Sequence, residues 1–395
     1  MWKFRRTPLW RCCLSMTKTS LYVHVPFCRS RCRYCDFVST AGLSRDWQER
    51  YRRALLQEFA LYRDGVAFET GMGAEGFATV YFGGGTPTFL DDDILEAIFT
   101  GLPLRHTAEF TVEANPGTVT GGKLALLREA GCNRLSIGAQ SFDDRRLAWL
   151  GRSHSAAGFR SAWESARAAG FINMNLDLLY GLPEQSLEDW RVTLGEALAC
   201  KPEHVSLYQL NIEDGTPLAR MAAAGEPCEA DEETCRRQYL LAHQVLSDAG
   251  YLHYEISNYA LPGYESRHNT HYWRNGYYLG LGAGAAGYLP GFRYTNKAGL
   301  EAYVADTDAG YLPVDGSEAI DSALAWAEEL MLAFRMREGV RKERFRHRVG
   351  VDPQHNYAQI LDKHLEAGLL EEDGEGVYPT LEGWLQYNNW VHAYM

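Results

Sequence analysis

Two repeating patterns of apolar positions divide the first half of the chain into predicted strands and helices. Short runs rich in β-branched and aromatic residues predict strands, which are SLYVHVP, FATVYFGGG, EFTVEANPG, NRLSIGAQS, INMNLDLLYGLP and HVSLYQLNI. Longer stretches between them carry apolar residues at helical spacing, at 46–62, 91–101, 122–130, 161–169 and 187–200. Strands and helices therefore alternate from about residue 20 to residue 212.

This alternation predicts an α/β fold, because consecutive strand–helix–strand units form a parallel sheet with right-handed crossovers. Six such units without a dinucleotide-binding glycine fingerprint indicate a parallel (βα)6-type partial barrel. In such barrels the chemistry lies at the carboxyl ends of the strands. The residues that fall at these ends are a cysteine loop, the GGGTPT turn, Glu113, Gln140 and Asp177. The candidate site is therefore predicted at that end of the barrel.

The pattern changes after residue 212, where glycines and aromatic residues accumulate. A helix is predicted at 232–249, followed by a glycine- and aromatic-rich loop at 267–296. A long helix at 322–337, a later helix ended by glycine and a hairpin around DGEG indicate a C-terminal winged-helix-like α+β module. The predicted parts are a disordered leader at 1–19, the barrel at 20–215, a connecting, substrate-side region at 216–317 and the module at 318–395.

The charge of the chain disfavours some function classes. The 395 residues carry a formal net charge of −12, which argues against polyanionic partners such as nucleic acid. The predicted recognition helix of the module carries Asp362 and Glu366 beside Lys363, so we expect a structural or partner-docking role for it. No apolar run reaches the ~18 residues of a membrane-spanning helix, so no transmembrane segment is expected.

Cysteine usage and the first residues bear on the location of the protein. Nine cysteines, an odd number, follow no secretory signal, which indicates a reducing cytoplasmic environment. The first twenty residues are basic and contain no acidic residue, so organellar import through this leader is the alternative. A loose leader, or a start at Met16, explains the same composition. We predict a cytoplasmic protein.

Three cysteines stand close together directly after the first predicted strand. Cys28, Cys32 and Cys35 are four and three residues apart, a spacing that lets one loop wrap an iron–sulfur cluster. Three thiolates for four irons leave one iron open, and an open metal position is typical of a reactive site. Buried free thiols or a zinc site are the alternatives. His24 is the nearby candidate for a fourth zinc ligand, but it belongs to a strand and is expected to point into the barrel.

The order of these motifs resembles that of the radical S-adenosylmethionine (SAM) enzymes, and within them the coproporphyrinogen dehydrogenase-like group. The likeness covers about residues 20–290, through CxxxCxxC, GGGTPT, EANPG, GAQS, LDLLYGLPEQS and RHNTHYW. It implies a 4Fe–4S cluster on Cys28, Cys32 and Cys35, whose open iron chelates SAM before an electron from the cluster cleaves it. It also implies an electron donor of the flavodoxin or ferredoxin type.

The resemblance further implies a set of SAM contacts. These are Tyr22, Phe37, Gly84, Gly85, Thr86, Glu113, Gln140, Arg152 and Asp177. Gly84 and Gly85 lack Cβ atoms, so the backbone can approach the methionine amino group closely. Arg152 can meet a carboxylate with a fork of donors, whereas Asp177 is costly to bury in mid-strand without a partner. An ordinary glycine turn, and a barrel carboxylate satisfied by its neighbours, are the alternatives.

Two features separate the branches of this group. Oxygen-independent coproporphyrinogen oxidases carry a fourth cysteine two residues after the third, where this chain has Phe37. RHNTHYW instead resembles the HNxxYW signature of heme chaperones, which implies heme as cargo and a heme-acceptor protein as partner. The heme contacts that this signature implies are His268, His271 and Tyr272. The alternative is a lid in which His268 and Asn269 cap a turn while the aromatic residues pack.

The sequence therefore favours a heme chaperone, which binds heme and hands it to acceptor proteins, over three alternatives. These are an oxygen-independent coproporphyrinogen III oxidase of porphyrin biosynthesis, another radical reaction such as methyl transfer, and a zinc- or DNA-binding protein without redox chemistry. No side chain is assigned a catalytic role. Relatives often read GxGAHG where this chain reads GAGAAG, so Ala286 replaces a histidine and heme ligation is expected to be weaker or different.

Overall fold

The computed structural model describes residues 19–65, 76–104, 107–350, 352 and 354–395, and within these ranges one sheet of twelve strands dominates. Its middle consists of six parallel strands, β1 (Ser20–Val25), β2 (Thr79–Gly84), β3 (Glu109–Ala114), β4 (Arg134–Gln140), β5 (Met174–Tyr180) and β6 (His204–Gln209). Each pairs in parallel with the next one along the chain. The predicted α/β partial barrel of six parallel strands is therefore confirmed.

Helices cross between these strands and cover the outer face of the barrel. They are α1 (Arg45–Asp64), α2 (Asp92–Gly101), α3 (Gly121–Glu129), α4 (Asp144–Trp149), α5 (Ala156–Ala168) and α6 (Leu187–Ala199). The side chains of Thr120, Ser155 and Ser186 cap three of them by accepting backbone N–H groups that have no partner within the helix. Outward-facing residues such as Val23 and Phe82 are fully buried in the main core.

The region after the barrel extends the same sheet at both edges. Its elements are α7 (Pro217–Ala223), α8 (Glu232–Asp248), β7 (Leu252–Glu255), β8 (Asn258–Ala260), α9 (Arg267–Trp273), β9 (Tyr278–Leu281), β10 (Ala286–Leu289), β11 (Phe292–Asn296), α10 (Leu300–Asp308) and β12 (Val314–Ala319). The strand order is β12-β11-β10-β9-β1-β2-β3-β4-β5-β6-β8-β7. The prediction of a loop at 267–296 is wrong, because this segment forms α9 and three strands whose pattern the glycines obscure.

The C-terminal part builds a second, smaller sheet with its own core. Its elements are α11 (Ser322–Ala333), β13 (Val340–Arg341), α12 (Lys342–Val349), α13 (Gln354–Glu366), β14 (Leu370–Glu372), β15 (Gly376–Pro379), α14 (Leu381–Leu385) and α15 (Tyr387–Trp390). The three strands pair antiparallel in the order β13-β15-β14. Leu330, Phe334 and Trp390 are among the buried residues of this core. The arrangement agrees with the predicted winged-helix-like module.

The inward face of the barrel is polar. Along β4, Leu135 and Ile137 lie in the apolar core, so the alternate residues Arg134 and Ser136 face inward. Hydrogen bonds join inward side chains of neighbouring strands, as from Asn175 Nδ2 to Ser136 Oγ (2.8 Å). Polar groups therefore line the space between the two ends of the barrel. Among the described residues, no helix is long and apolar enough to cross a membrane.

Candidate functional site

The cysteine loop lies at the carboxyl end of β1, where the barrel prediction places it. A two-residue parallel bridge between Phe27–Cys28 and Thr40–Ala41 closes the loop. The backbone N–H of Gly42 also donates to the carbonyl of Cys28 (3.3 Å). All three cysteines of the motif are free and half-buried. One short loop therefore presents three thiols at the mouth of the barrel.

Burial keeps free thiols in this loop protonated, so thiolates would form there only with a bound metal. The Sγ atom of Cys28 lies 3.7 Å from Thr86 Oγ1, and Arg152 Nη1 lies 3.6 Å from Cys32 Sγ. Burial raises the pKa of the Cys28 thiol, and raises the pKa of Cys35 to about 11. These two thiols are therefore protonated at neutral pH by themselves, and a bound metal would deprotonate them.

The donor set suits a cluster better than a single ion. Among the described residues, no three side chains of His, Cys, Asp or Glu converge on a position that could hold one metal ion. In a cluster each thiolate binds a different iron, so the Sγ atoms surround it and do not meet at one point. His24 does not offer a fourth zinc ligand in this structure, because both its ring nitrogens have partners, in Tyr22 Oη (2.9 Å) and the Val38 carbonyl (2.7 Å). The three cysteines therefore fit an iron–sulfur cluster.

The glycine turn after β2 packs directly against the start of the cysteine loop. Gly84 has φ +98°, and a Cβ there would lie 2.4 Å from the ring of His24. A Cβ on Gly85 would lie 2.7 Å from the carbonyl oxygens of Val25 and Phe27. The backbone N–H of Thr86 donates to the Phe27 carbonyl (2.7 Å). Only glycines allow this approach of the turn to the loop.

Three of the predicted SAM contacts meet around Gly138 on β4. Arg152 Nη2 donates to the Gly138 carbonyl (2.9 Å). A Cβ on Gly138 would lie 2.7 Å from Gln140 Nε2, 3.3 Å from Arg152 Nη2 and 3.8 Å from Asp177 Oδ2. Gln140 itself has φ +66°, a strained backbone where β4 ends. Since Arg152 also reaches Cys32, one guanidinium joins the cysteine loop to this group.

Two carboxyl groups face the interior next to these residues. Burial raises the pKa of Glu113 to about 7, although the Tyr81 hydroxyl (2.7 Å) and the Gly84 N–H (3.2 Å) donate to it. Burial also raises the pKa of Asp177, which accepts from Asn175 Nδ2 (2.7 Å). Neighbouring side chains therefore supply part of the hydrogen bonding of Asp177, as one alternative predicts. Both carboxyl groups nevertheless remain partly exposed. Each can therefore accept hydrogen bonds from a ligand there.

Tyr22 and Phe37 occupy different environments. The Tyr22 hydroxyl donates to His24 Nδ1 (2.9 Å), because His24 Nε2 must donate to the Val38 carbonyl and leaves Nδ1 as the acceptor. Burial, followed by the nearby charge of Glu113, raises the pKa of the Tyr22 hydroxyl, so Tyr22 lies close to Glu113. The Phe37 side chain is 60% exposed at the rim of the cysteine loop, so a contact of this residue with SAM would be made by its backbone.

The HNxxYW segment lies at the opposite end of the barrel. It forms α9, whose first N–H groups, those of Arg267 and His268, donate to the carboxylate of Glu109 (2.9 Å each). Glu109 is the first residue of β3, and Thr79, whose hydroxyl contacts His268 Nδ1 (2.8 Å), is the first residue of β2. The five residue steps from Thr79 to Gly84 along β2 span about 16 Å. Roughly that distance therefore separates His268 from the cysteine loop along the barrel.

Both ring nitrogens of His268 have hydrogen-bond partners. The Thr79 hydroxyl donates to Ser20, so it accepts from His268 Nδ1. His268 Nε2 then carries the lone pair and accepts from the Tyr272 hydroxyl (2.8 Å). His268 is only 1% exposed, and His271 Nε2 donates to the Tyr277 carbonyl (2.7 Å). The segment therefore closes the end of the barrel that lies opposite the cysteine loop.

Comparison with known proteins places the chain in a family. Residues 22–197 match the model of the radical SAM superfamily, and residues 320–386 match that of the HemN C-terminal domain. The chain is 34% identical over 381 residues to the heme chaperone HemW of Bacillus subtilis, covering 95% of this chain and 99% of that protein. The chain belongs to the HemW family of radical SAM proteins. With HemW of Escherichia coli it shares 40% identity over 272 residues, which cover 68% of this chain and 69% of that one.

A solved structure shares the fold of this chain. The coproporphyrinogen III oxidase HemN of Escherichia coli superposes with a TM-score of 0.82, covering 95% of this chain and 90% of that chain at 21% identity. Membership of the radical SAM superfamily implies a 4Fe–4S cluster and SAM, and the cysteine loop and the group around Gly138 fit both. The leader predicted at 1–19 lies, except for Thr19, outside the described residues.

Proposed function

We propose that this chain is a heme chaperone, which binds heme as cargo and passes it to an acceptor protein. In addition to heme, it binds a 4Fe–4S cluster and SAM. The observation that supports it most is the 34% identity to a HemW over nearly the full length of both chains. The geometry around Arg152 supports the cluster and SAM part, because this side chain contacts both the cysteine loop and β4. Phe37, where oxygen-independent oxidases have a fourth cysteine, argues against porphyrinogen oxidation.

Different residues at the barrel mouth are proposed to hold the 4Fe–4S cluster and SAM. Cys28, Cys32 and Cys35 would hold the cluster, which would supply the electron for cleavage of SAM. The Gly84–Thr86 turn brings backbone to the methionine end of SAM without a Cβ in the way. Arg152 offers its donors to the methionine carboxylate.

The two interior carboxyl groups complete the proposed SAM contacts. Glu113 and Asp177, with Gln140, accept from the amino group and the ribose hydroxyls of SAM. Tyr22 bounds the pocket from β1, and the backbone of Phe37 meets the adenine. Because burial holds the pKa of Glu113 at about 7, its charge changes within the physiological range.

The position of the heme is a separate question. Coordination of iron by His268 requires that its Nε2 release the Tyr272 hydroxyl at the closed end of the barrel. The heme contacts predicted at His268, His271 and Tyr272 therefore remain predictions, as do the heme-acceptor protein, the flavodoxin- or ferredoxin-type electron donor and the cytoplasmic location.

A paired assay tests the proposal against the oxidase alternative. The anaerobically reconstituted chain would be incubated with SAM and a reductant, once with heme and once with coproporphyrinogen III. We expect saturable heme binding and no release of carbon dioxide from the porphyrinogen. Decarboxylation of coproporphyrinogen III without heme binding would overturn the proposal and establish the oxidase reading.

A further inference from the structure

The two ends of α9 are held by different parts of the molecule. At the amino end, the carboxylate of Glu109 in the barrel accepts from the backbone N–H of His268 (2.9 Å). At the carboxyl end, the guanidinium of Arg348 in α12 donates to the carbonyl oxygens of Arg274 and Asn275, the latter at 2.8 Å. The barrel therefore holds the beginning of this helix, and the C-terminal module holds its end.

Ion pairs add to the contact between the module and the end of α9. Arg274 donates two hydrogen bonds to the carboxylate of Glu338 (2.8 and 2.9 Å), and Arg344 donates to the same carboxylate (2.7 Å). Arg348 pairs in addition with Glu329 (3.4 Å). The side chains of Arg274 and Glu338 are 48% and 25% exposed, and ion pairs that are this accessible to water contribute little net stability. The pair of Arg274 with Glu338 can therefore break at small cost.

The tryptophan of the HNxxYW segment also contacts the module. The guanidinium carbon of Arg335 lies 4.4 Å from the centroid of the Trp273 ring and 5.3 Å from that of the Tyr387 ring. A guanidinium at this distance from aromatic rings is attracted to their π-electrons. We call the contacts that Arg335, Glu338 and Arg348 make with residues 273–275 the latch.

The module is built as a separate body with a limited connection to the barrel. It has its own core, and a cleft of about 580 Å³ lies between its β14–β15 hairpin and α8. Leu381 and Leu385 of α14 pack against the main core, and an antiparallel bridge joins Glu255 of β7 to Met336. Parts of a chain with separate cores move relative to one another unless a large apolar interface joins them. The apolar connection through α14 persists when the polar latch breaks, so it can serve as the pivot.

The latched position of α9 covers the histidine of its first turn. His268 is only 1% exposed, and its Nε2 accepts from the Tyr272 hydroxyl (2.8 Å). Glu109 and Thr79 of the barrel hold His268 in the amino half of the helix, whereas Tyr272 lies in the carboxyl half, next to the latch. Displacement of the carboxyl half alone would withdraw the Tyr272 hydroxyl. The lone pair of His268 Nε2 would then be free, while the barrel still held the ring.

We propose that the C-terminal module is a regulatory element, whose latch locks the carboxyl half of α9 across the end of the barrel and whose release opens that end. The consequence for heme rests on the proposed function: the cargo reaches His268 only after the module has released α9. The apparent affinity for heme is then lowered in proportion to the small fraction of chains that are open.

Hydrogen exchange of the full reconstituted chain without heme tests the latch itself. Arg348→Ala and Glu338→Gln should each raise the exchange rate of the backbone amides at 267–275 roughly threefold or more, because each removes charged hydrogen bonds that hold this segment. Arg341→Ala is the matched control. Arg341 pairs with Glu375 inside the module (2.7 Å), so this variant should leave exchange at 267–275 at the wild-type rate. Circular dichroism and iron content would verify that all three variants fold.

A titration of the same proteins with ferric heme tests the consequence for the cargo. Arg348→Ala and Glu338→Gln should bind heme faster and roughly threefold or more tightly than the wild-type chain, because a larger fraction of the molecules is open. Arg341→Ala should bind heme as the wild-type chain does.

The outcomes separate the latch from the proposed function. Wild-type exchange at 267–275 in both Arg348→Ala and Glu338→Gln would overturn the latch, and the chaperone proposal would stand if these variants bound heme. Faster exchange with unchanged heme binding would overturn the entry of heme past α9. If neither the wild-type chain nor the variants bind heme, the chaperone proposal falls, and the exchange rates alone decide whether the module latches α9.

Discussion

Gly84 gives the most direct test of how the glycine turn is built. A Cβ added there would lie 2.4 Å from the His24 ring, and the backbone has φ +98°. The ring cannot rotate away without cost, because its two nitrogens are held by the Tyr22 hydroxyl and the Val38 carbonyl. Gly84→Ala should therefore add overpacking of about 1–3 kcal/mol to a backbone penalty of about 1–2 kcal/mol.

Gly170 provides the matched control for this prediction. It has φ +86° and no atom within 4 Å of an added Cβ, so Gly170→Ala should cost only the backbone penalty of about 1–2 kcal/mol. Urea unfolding of the cluster-free chains, followed by circular dichroism, measures both losses. Gly84→Ala should lose about 1–3 kcal/mol more than Gly170→Ala. Equal losses of unfolding free energy in the two variants would mean that the His24 ring moves aside without cost. That result would refute the proposed rigidity of the turn.

Three further predictions concern the interior of the barrel. Burial raises the pKa of Glu113 and of Glu58 from 4.5 to about 7, so the folded state favours the protonated acid and the free energy of unfolding should fall as pH rises from about 4.5 to about 7. Glu113→Gln and Glu58→Gln should each reduce this fall in the free energy of unfolding, as measured by urea titrations. Only Glu113→Gln should change the affinity for SAM and the pH dependence of that affinity. Equal effects of both variants on SAM binding would contradict the proposed SAM site. Arg152→Lys cannot reach Cys32 and Gly138 together, so equilibrium SAM binding should weaken roughly tenfold while the iron content stays at the wild-type value; loss of iron instead would assign Arg152 to the cluster alone. His268→Ala takes the acceptor from the Tyr272 hydroxyl and one of two partners from the Thr79 hydroxyl, so it should lower the free energy of unfolding by about 1–3 kcal/mol with unchanged iron content; a neutral effect would contradict its role in closing the barrel.

The parts of the fold that depend on local pattern could be read from the sequence. The six parallel strands are marked by β-branched runs, and helix bounds agree within a few residues where a cap is visible. The exception is α5, which begins at Ala156, five residues before its predicted start, because the cap at Ser155 precedes a weakly apolar turn. The cysteine loop and the GGGTPT turn were locatable because both follow strands directly.

The parts that depend on distant contacts could not be read in this way. Glu109 holds the first turn of α9 although more than 150 residues separate them, and nothing local in RHNTHYW predicts that partner. The parallel pairing of β9 with β1 is likewise a long-range choice hidden by glycines. The polar interior had a usable signal, since polar residues alternate with apolar ones along β4 and β5. The pairing of His243 with His253 requires α8 to pack on β7, which no spacing reveals.

The measurement that tests the central claim most directly is an anaerobic heme titration of the iron- and sulfide-reconstituted chain, followed by visible absorbance. It would be repeated on the Cys28→Ala, Cys32→Ala, Cys35→Ala triple variant, which cannot hold the cluster. We predict saturable binding near one heme per chain for both proteins, because the predicted heme contacts lie at the opposite end of the barrel from the cysteines. Absence of saturable binding by the wild-type chain would contradict the chaperone account, and binding that disappears with the cysteines would contradict the separation of the two sites.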